Sequence, residues 1–186
     1  MKWVLIVIGG LVALVALMAL VGALLPREHR VTTIATLHQP PDSVWKAVRD
    51  LGGLPAWWPE ITRSERLPDR DGHEVWGQKV GKAGFDMPLV VMESDPPRRL
   101  VTKIDSPPGS PFGGTWTYEL TPDSGGGGGG GRGGGGTRIS VTEAGWIGNP
   151  IFRFLSRFVF GYYGSLDGYL KALGKRFGET VRPTHS

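Results

Sequence analysis

Hydrophobic and polar positions divide the chain into three regimes. Residues 3–25 form one apolar run without a charge. From residue 30 to residue 143 the chain reads mainly as segments in which apolar and polar positions alternate, the period of half-buried strands. From Asn149 onward apolar positions recur three and four apart, the period of a helix with one buried stripe.

The alternation predicts a first strand over 30–37, with Val31, Thr33, Ala35 and Leu37 on one face. Pro40-Pro41-Asp42 then opens a helix, because proline is tolerated in the first turn and Asp42 sits near its positive end. Val44, Val48 and Leu51 lie at helical spacing with Trp45 beside them, and Gly52-Gly53 ends the element. Residues 54–58 leave room for a short helical turn before Pro59. A meander follows, with strands over 61–67, 74–80, 85–94, 100–105, 115–120 and 137–143. Short turns such as Pro68-Asp69-Arg70-Asp71-Gly72 separate most of them and imply antiparallel pairing. Trp116, Tyr118 and Leu120 share one face, as do Ile139, Val141 and Glu143.

Residues 122–136 contain 11 glycines and a single arginine, Arg132. Phosphate loops run from a strand into a helix N-terminus, whereas this stretch joins two strands, so it reads as a long hairpin tip. The final helix begins at Asn149, a good N-cap, with Pro150 at its first position. Its apolar stripe runs through Ile151, Phe154, Leu155, Phe158, Tyr162, Leu166, Tyr169, Leu170, Leu173 and Phe177. Gly161, Gly164, Gly168 and Gly174 each weaken it by about 1 kcal/mol relative to alanine, so packing must hold it or it is kinked.

The N-terminal run changes the picture of location. As a helix its 23 residues extend about 35 Å, enough for a hydrocarbon core of roughly 30 Å. The expected organisation is a transmembrane signal anchor over 1–25, one domain over 26–180 and a tail over 181–186. The competing reading is a cleaved signal peptide with Val21-Gly22-Ala23 as its small-residue site, against which stands the length of the apolar run. Lys2 and the amino terminus balance Arg27 and Arg30 across the run, so the positive-inside rule leans only slightly to a cytoplasmic domain.

Composition narrows the chemistry. The chain has 186 residues, 40% of them hydrophobic, and a net charge of +4 spread along its length. No nucleic-acid motif accompanies that charge, and it reads as a solvated surface compatible with anionic lipid. The absence of cysteine excludes disulfides, thiol nucleophiles and thiolate metal sites. The four histidines, His29, His38, His73 and His185, show no metal-ligand spacing, and no Gly-x-Ser-x-Gly elbow is present. Glu143 stands apart from the other carboxylates because its alternation points it inward with Ile139 and Val141. There it serves as a base, as an anchor for a ligand's polar group, or as a structural acceptor.

Several motifs occur together in order: Pro-Pro-Asp-Ser-Val-Trp opening a helix, Leu-Pro-Ala-Trp-Trp-Pro, a strand meander, Gly-Gly-Thr-Trp-Thr-Tyr, Thr-Glu-Ala-Gly, and Gly-Asn-Pro before a long helix. Over about residues 30–179 the chain resembles the START-related SRPBCC superfamily, in its polyketide cyclase/dehydrase-like branch. The resemblance implies an α+β helix-grip fold, a curved antiparallel sheet of about seven strands wrapping a long C-terminal helix. It also implies a cavity between sheet and helix for a hydrophobic small molecule or lipid. The candidate ligand-binding residues are Glu143, Trp76, Met87, Trp116 and Tyr118 from the strands, with Phe154, Phe158 and Tyr162 from the closing helix. No catalytic set, metal site or cofactor is expected. A membrane-anchored binding module is the first expectation, and a cyclase or dehydratase acting on an apolar or polyketide-like substrate is the alternative.

Overall fold

The computed structural model describes residues 2–123 and 135–186, so most of the glycine-rich stretch, including Arg132, lies outside the described residues. An apolar helix, α1 (Lys2–Leu24), is followed by strand β1 (Glu28–Leu37), helix α2 (Pro41–Arg49) and a 3-10 turn at Leu54–Ala56. The meander comprises β2 (Ile61–Arg70), β3 (His73–Val80), β4 (Phe85–Asp95), β5 (Arg99–Ile104), β6 (Phe112–Asp123) and β7 (Gly136–Ile147). Helix α3 (Pro150–Leu155), a π-helical turn (Ser156–Phe160), helix α4 (Gly164–Arg176) and a two-residue strand, β8 (Thr184–His185), complete the chain.

The strands form one sheet in the order β2-β3-β4-β5-β6-β7-β1-β8, with every neighbouring pair antiparallel. The meander therefore runs across the sheet, and β1 returns to pair with β7. The face expected of β1 is the buried one: Val31, Thr33, Ala35 and Leu37 all point into the core. The same holds for Ile139 and Val141 on β7. The segment expected as a tail adds β8 to the sheet edge, and Val181 joins the core.

The closing helix is kinked, and the break has a definite place. Asn149 caps α3, its side chain accepting from the backbone N–H groups of Ile151 and Phe152. The π-helical turn widens the winding, and Gly161 then takes a φ of 73°, a left-handed backbone that favours glycine. The helical phase is reset there. In α4 the expected stripe is buried, with Leu166, Tyr169, Leu170 and Leu173 against the sheet. In the π turn it is not: Phe158, expected inward by continuous phase, faces outward and is exposed.

Helix α1 is long and apolar enough to cross a membrane, a test that a signal sequence also meets. Its last turns lie against α3. Gly22 is buried there, and a Cβ at this position would come within 1.8 Å of the Pro150 carbonyl oxygen. Arg153 Nη1 donates to the Leu25 carbonyl at 2.8 Å, tying α3 to the end of α1.

The two halves of the closing segment should differ in their weight for stability. Leu170→Ala removes a fully packed side chain and should cost about 2–5 kcal/mol in denaturant unfolding. Phe158→Ala removes an exposed one and should change stability by about 0.5 kcal/mol. Equal losses at the two positions would contradict the broken-helix geometry.

Candidate functional site

Strand register assembles the polar centre of the site. The β1–β7 pairing sets His29 opposite Gly145 and Val31 opposite Glu143, and the β6–β7 pairing sets Trp116 opposite Glu143. Residues two apart share a face, so His29, Glu143 and Trp116 converge on the concave side of the sheet. His29 Nε2 donates to Glu143 Oε1 at 3.0 Å, and Trp116 Nε1 donates to Glu143 Oε2 at 3.1 Å. The His29 and Glu143 side chains are only 11% and 22% exposed. Tyr162, just after the helix break, stacks on the imidazole with ring centroids 4.6 Å apart. Gly145 makes room for that ring, since a Cβ there would meet His29 Cε1 at 2.9 Å.

Two cavities meet at this centre. The inner one, about 210 Å³, lies between the sheet and the segment after α2, with Leu54, Trp58, Gln78, Met87, Thr102 and Tyr118 among its walls. The outer one, about 380 Å³, is bounded by His29, Trp146, Phe152, Ser156, Phe160 and Tyr162. Ile104, Phe112, Trp116, Glu143 and Ser165 line both. Most of this wall is apolar, with a few polar groups clustered at the junction, the usual make-up of a small-molecule pocket.

Burial raises the pKa of the phenols of Tyr118, on the inner wall, and of Tyr169, packed against it. For Tyr118, desolvation raises the pKa, a hydrogen bond with Thr102 opposes it, and the nearby Glu143 charge adds to the rise. Tyr169 is raised in the same way by burial and by Tyr118. A neutral phenol can donate as well as accept.

Among the residues expected at the site, Glu143, Trp116, Met87, Tyr118 and Tyr162 line these cavities. Three do not. Trp76 lies against Gly52, and its indole donates to Glu74 at 2.6 Å. Burial alone would raise the Glu74 carboxyl, but hydrogen bonds from Arg49 and Trp76 and the charges of Arg49 and Arg66 bring it below its ordinary value. Trp76 thus belongs to the bracket between α2 and β3. Phe154 packs against Phe158 with centroids 4.9 Å apart, and Phe158 faces outward.

His29 is the member of this polar centre that the sequence pattern does not single out, because its neighbours Arg27, Glu28 and Arg30 are charged. The period of two in Val31, Thr33, Ala35 and Leu37 continues back to position 29, and that was the available signal.

A profile of the family described as polyketide cyclase/dehydrase and lipid transport matches residues 28–174. The chain belongs to this family. No curated protein matches it, but many solved structures do. A START superfamily protein from Mycobacterium smegmatis is 17% identical, with a TM-score of 0.58 over 80% of this chain and 96% of its own. The Zhui aromatase/cyclase from a Streptomyces species is 16% identical, with a TM-score of 0.58 over 78% of this chain and 91% of its own. A protein from Thermus thermophilus is 21% identical, with a TM-score of 0.59 over 80% and 96%. These likenesses establish the helix-grip fold of the family in this chain, with its sheet and C-terminal helices.

The polar centre makes a specific prediction. Glu143→Ala leaves two inward donors without a partner and should cost about 1–3 kcal/mol for each one stranded. Glu143→Gln keeps both contacts if His29 takes its other tautomer, with the new amide donating to Nε2 and its carbonyl accepting from Trp116. Thermal unfolding should therefore place the glutamine variant close to wild type and the alanine variant well below it. An alanine variant as stable as wild type would show that the pairing contributes nothing to the fold.

Proposed function

We propose that this family member is a membrane-anchored binding module for an apolar small molecule or lipid that carries one polar group. The observation that carries the reading is the His29–Glu143 pair at the junction of two largely apolar cavities. Apolar walls supply affinity by excluding water, and the pair orients the ligand through its polar end. With the Nε2 proton given to Glu143, the free positions of imidazole and carboxylate are acceptors, so a hydroxyl or other donor group suits them. Trp58 supports the reading, since it lines the inner cavity and its buried indole N–H has no partner among the described residues. The apolar helix supports the membrane half of the proposal by keeping the domain beside a reservoir of such ligands.

The same pair favours a second reading, catalysis of the cyclase or dehydratase type. An imidazole oriented by a carboxylate is a competent general base, and here it lines a largely apolar cavity. In that case the cavity folds a reactive substrate and His29 takes a proton from it.

Gentle purification of the full chain followed by native mass spectrometry tests the binding proposal. A bound apolar molecule should appear on wild type, and occupancy should fall by about tenfold in His29→Phe, the equivalent of one lost charge-assisted hydrogen bond. A chain that carries no small molecule in any mild detergent would refute it. If the recovered molecule returns chemically altered by wild type and unaltered by His29→Phe, the catalytic reading replaces it.

A further inference from the structure

Helix α3 and the π turn carry large apolar side chains that the protein does not cover. Phe152 is 53% exposed, Phe158 59%, Val159 61% and Phe160 68%. In a soluble domain such a cluster, within nine residues of one segment, calls for a partner. The packing of α3 on α1 identifies it. Along α1 burial begins at Met18, and Met18, Ala19, Val21 and Gly22 are partly or wholly covered while the earlier residues are exposed. At 1.5 Å per residue the stretch from Met18 to Leu24 covers about 10 Å of helix axis. Amphipathic interfacial helices lie about 5–10 Å into the boundary between headgroups and acyl chains. If α1 spans the bilayer, α3 is held beside its final turns at that depth. Arg157, exposed on the same turn, together with Arg27 and Arg30 just after α1, places cations at headgroup level.

We propose that α3 and the π turn form a second, interfacial membrane contact in the leaflet from which the domain emerges, and that this contact opens the outer cavity onto the bilayer. The link to the cavity is direct. Phe152 and Phe160 are exposed and also bound the outer cavity, whose inner end is the His29–Glu143 pair. A ligand leaving the acyl layer beside these phenylalanines passes into the cavity without crossing bulk water. Its polar group then meets His29 and Glu143 after its apolar part has left the membrane. Arg153, buried and bonded to the Leu25 carbonyl, holds the segment to the end of α1. The π turn and Gly161 uncouple it from α4, so the contact can shift without disturbing the core. This inference rests on the membrane-anchor reading of α1.

The natural chain lacks cysteine, so a single introduced thiol can be labelled without background. Three full-length variants, Phe158→Cys, Leu14→Cys in α1 and Glu65→Cys on the exposed β2, would each carry an environment-sensitive fluorophore. They would be reconstituted into phosphatidylcholine/phosphatidylglycerol vesicles containing nitroxide-labelled lipid. The proposal predicts strong quenching of the Phe158 label by nitroxides near the glycerol level, deeper quenching at Leu14 and little at Glu65. A quenched Leu14 with a Phe158 label quenched only by a water-soluble nitroxide would overturn the proposal and leave the anchor standing. An unquenched Leu14 would remove the anchor and this inference with it. Formation of a cross-linked dimer through Phe158→Cys, without lipid quenching, would assign the patch to a second copy and overturn the proposal. As a second readout, Phe158→Glu combined with Val159→Glu should slow uptake of a fluorescent fatty acid from vesicles by about tenfold, through the cost of placing charge in the acyl layer. Unchanged uptake would separate the patch from the cavity and refute the bilayer-facing opening.

Discussion

Four aromatic rings converge on Tyr169, and the rest of the structure depends on that contact. Its ring lies 5.1–6.0 Å from those of Trp57, Trp58, Trp116 and Tyr118, so one residue of α4 touches the turn after α2 and two positions of β6. An antiparallel sheet with one apolar face is stable only when that face is covered. Leu166, Leu170 and Leu173 continue the cover along α4. Where α4 begins, at Gly164, the cover gives way to the cavities, and the His29–Glu143 pair stands at that margin. The cavity is therefore a consequence of where the helix breaks.

That break also explains why one chain segment can have two partners. A continuous helix would have kept Phe158 in phase with Leu166 and Tyr169 and driven it toward the sheet. The wider π turn and the left-handed Gly161 free the segment before it from that phase. The segment instead follows α1, through the close approach of Gly22 to Pro150 and the bond from Arg153 to Leu25. Core, cavity and apolar surface thus lie in sequence along a short stretch between Phe152 and Tyr169.

Much of this was legible in the sequence because it rests on period two. The buried faces of β1 and β7 follow from alternation, and Glu143 points inward as its register requires. The strand ends were not legible. The β6–β7 hairpin extends from Phe112 to Ile147, past residues such as Gly113 and Gly114 whose composition reads as loop, because pairing with a neighbour overrides local preference. His29 was hidden by its charged neighbours Arg27, Glu28 and Arg30, though its place on the buried face of β1 follows from the same period. The orientation of Phe158 could not be read, because helical spacing carries no information across a change of phase. Trp76 shares the inner-face alternation of its strand but is drawn aside by Glu74, a partner set by the tertiary contact of Arg49 with β3.

The account turns on one claim, that the space beside Tyr169 is a binding cavity whose polar end is His29 and Glu143. The most direct measurement is an experimental structure of the full chain, purified gently enough to keep what it carries. The account predicts an apolar molecule between β6 and the turn after α2, with a polar atom of that molecule within hydrogen-bonding distance of His29 or Glu143. An interior closed by repacking of Trp116 and Tyr118, with His29 turned to solvent, would contradict it.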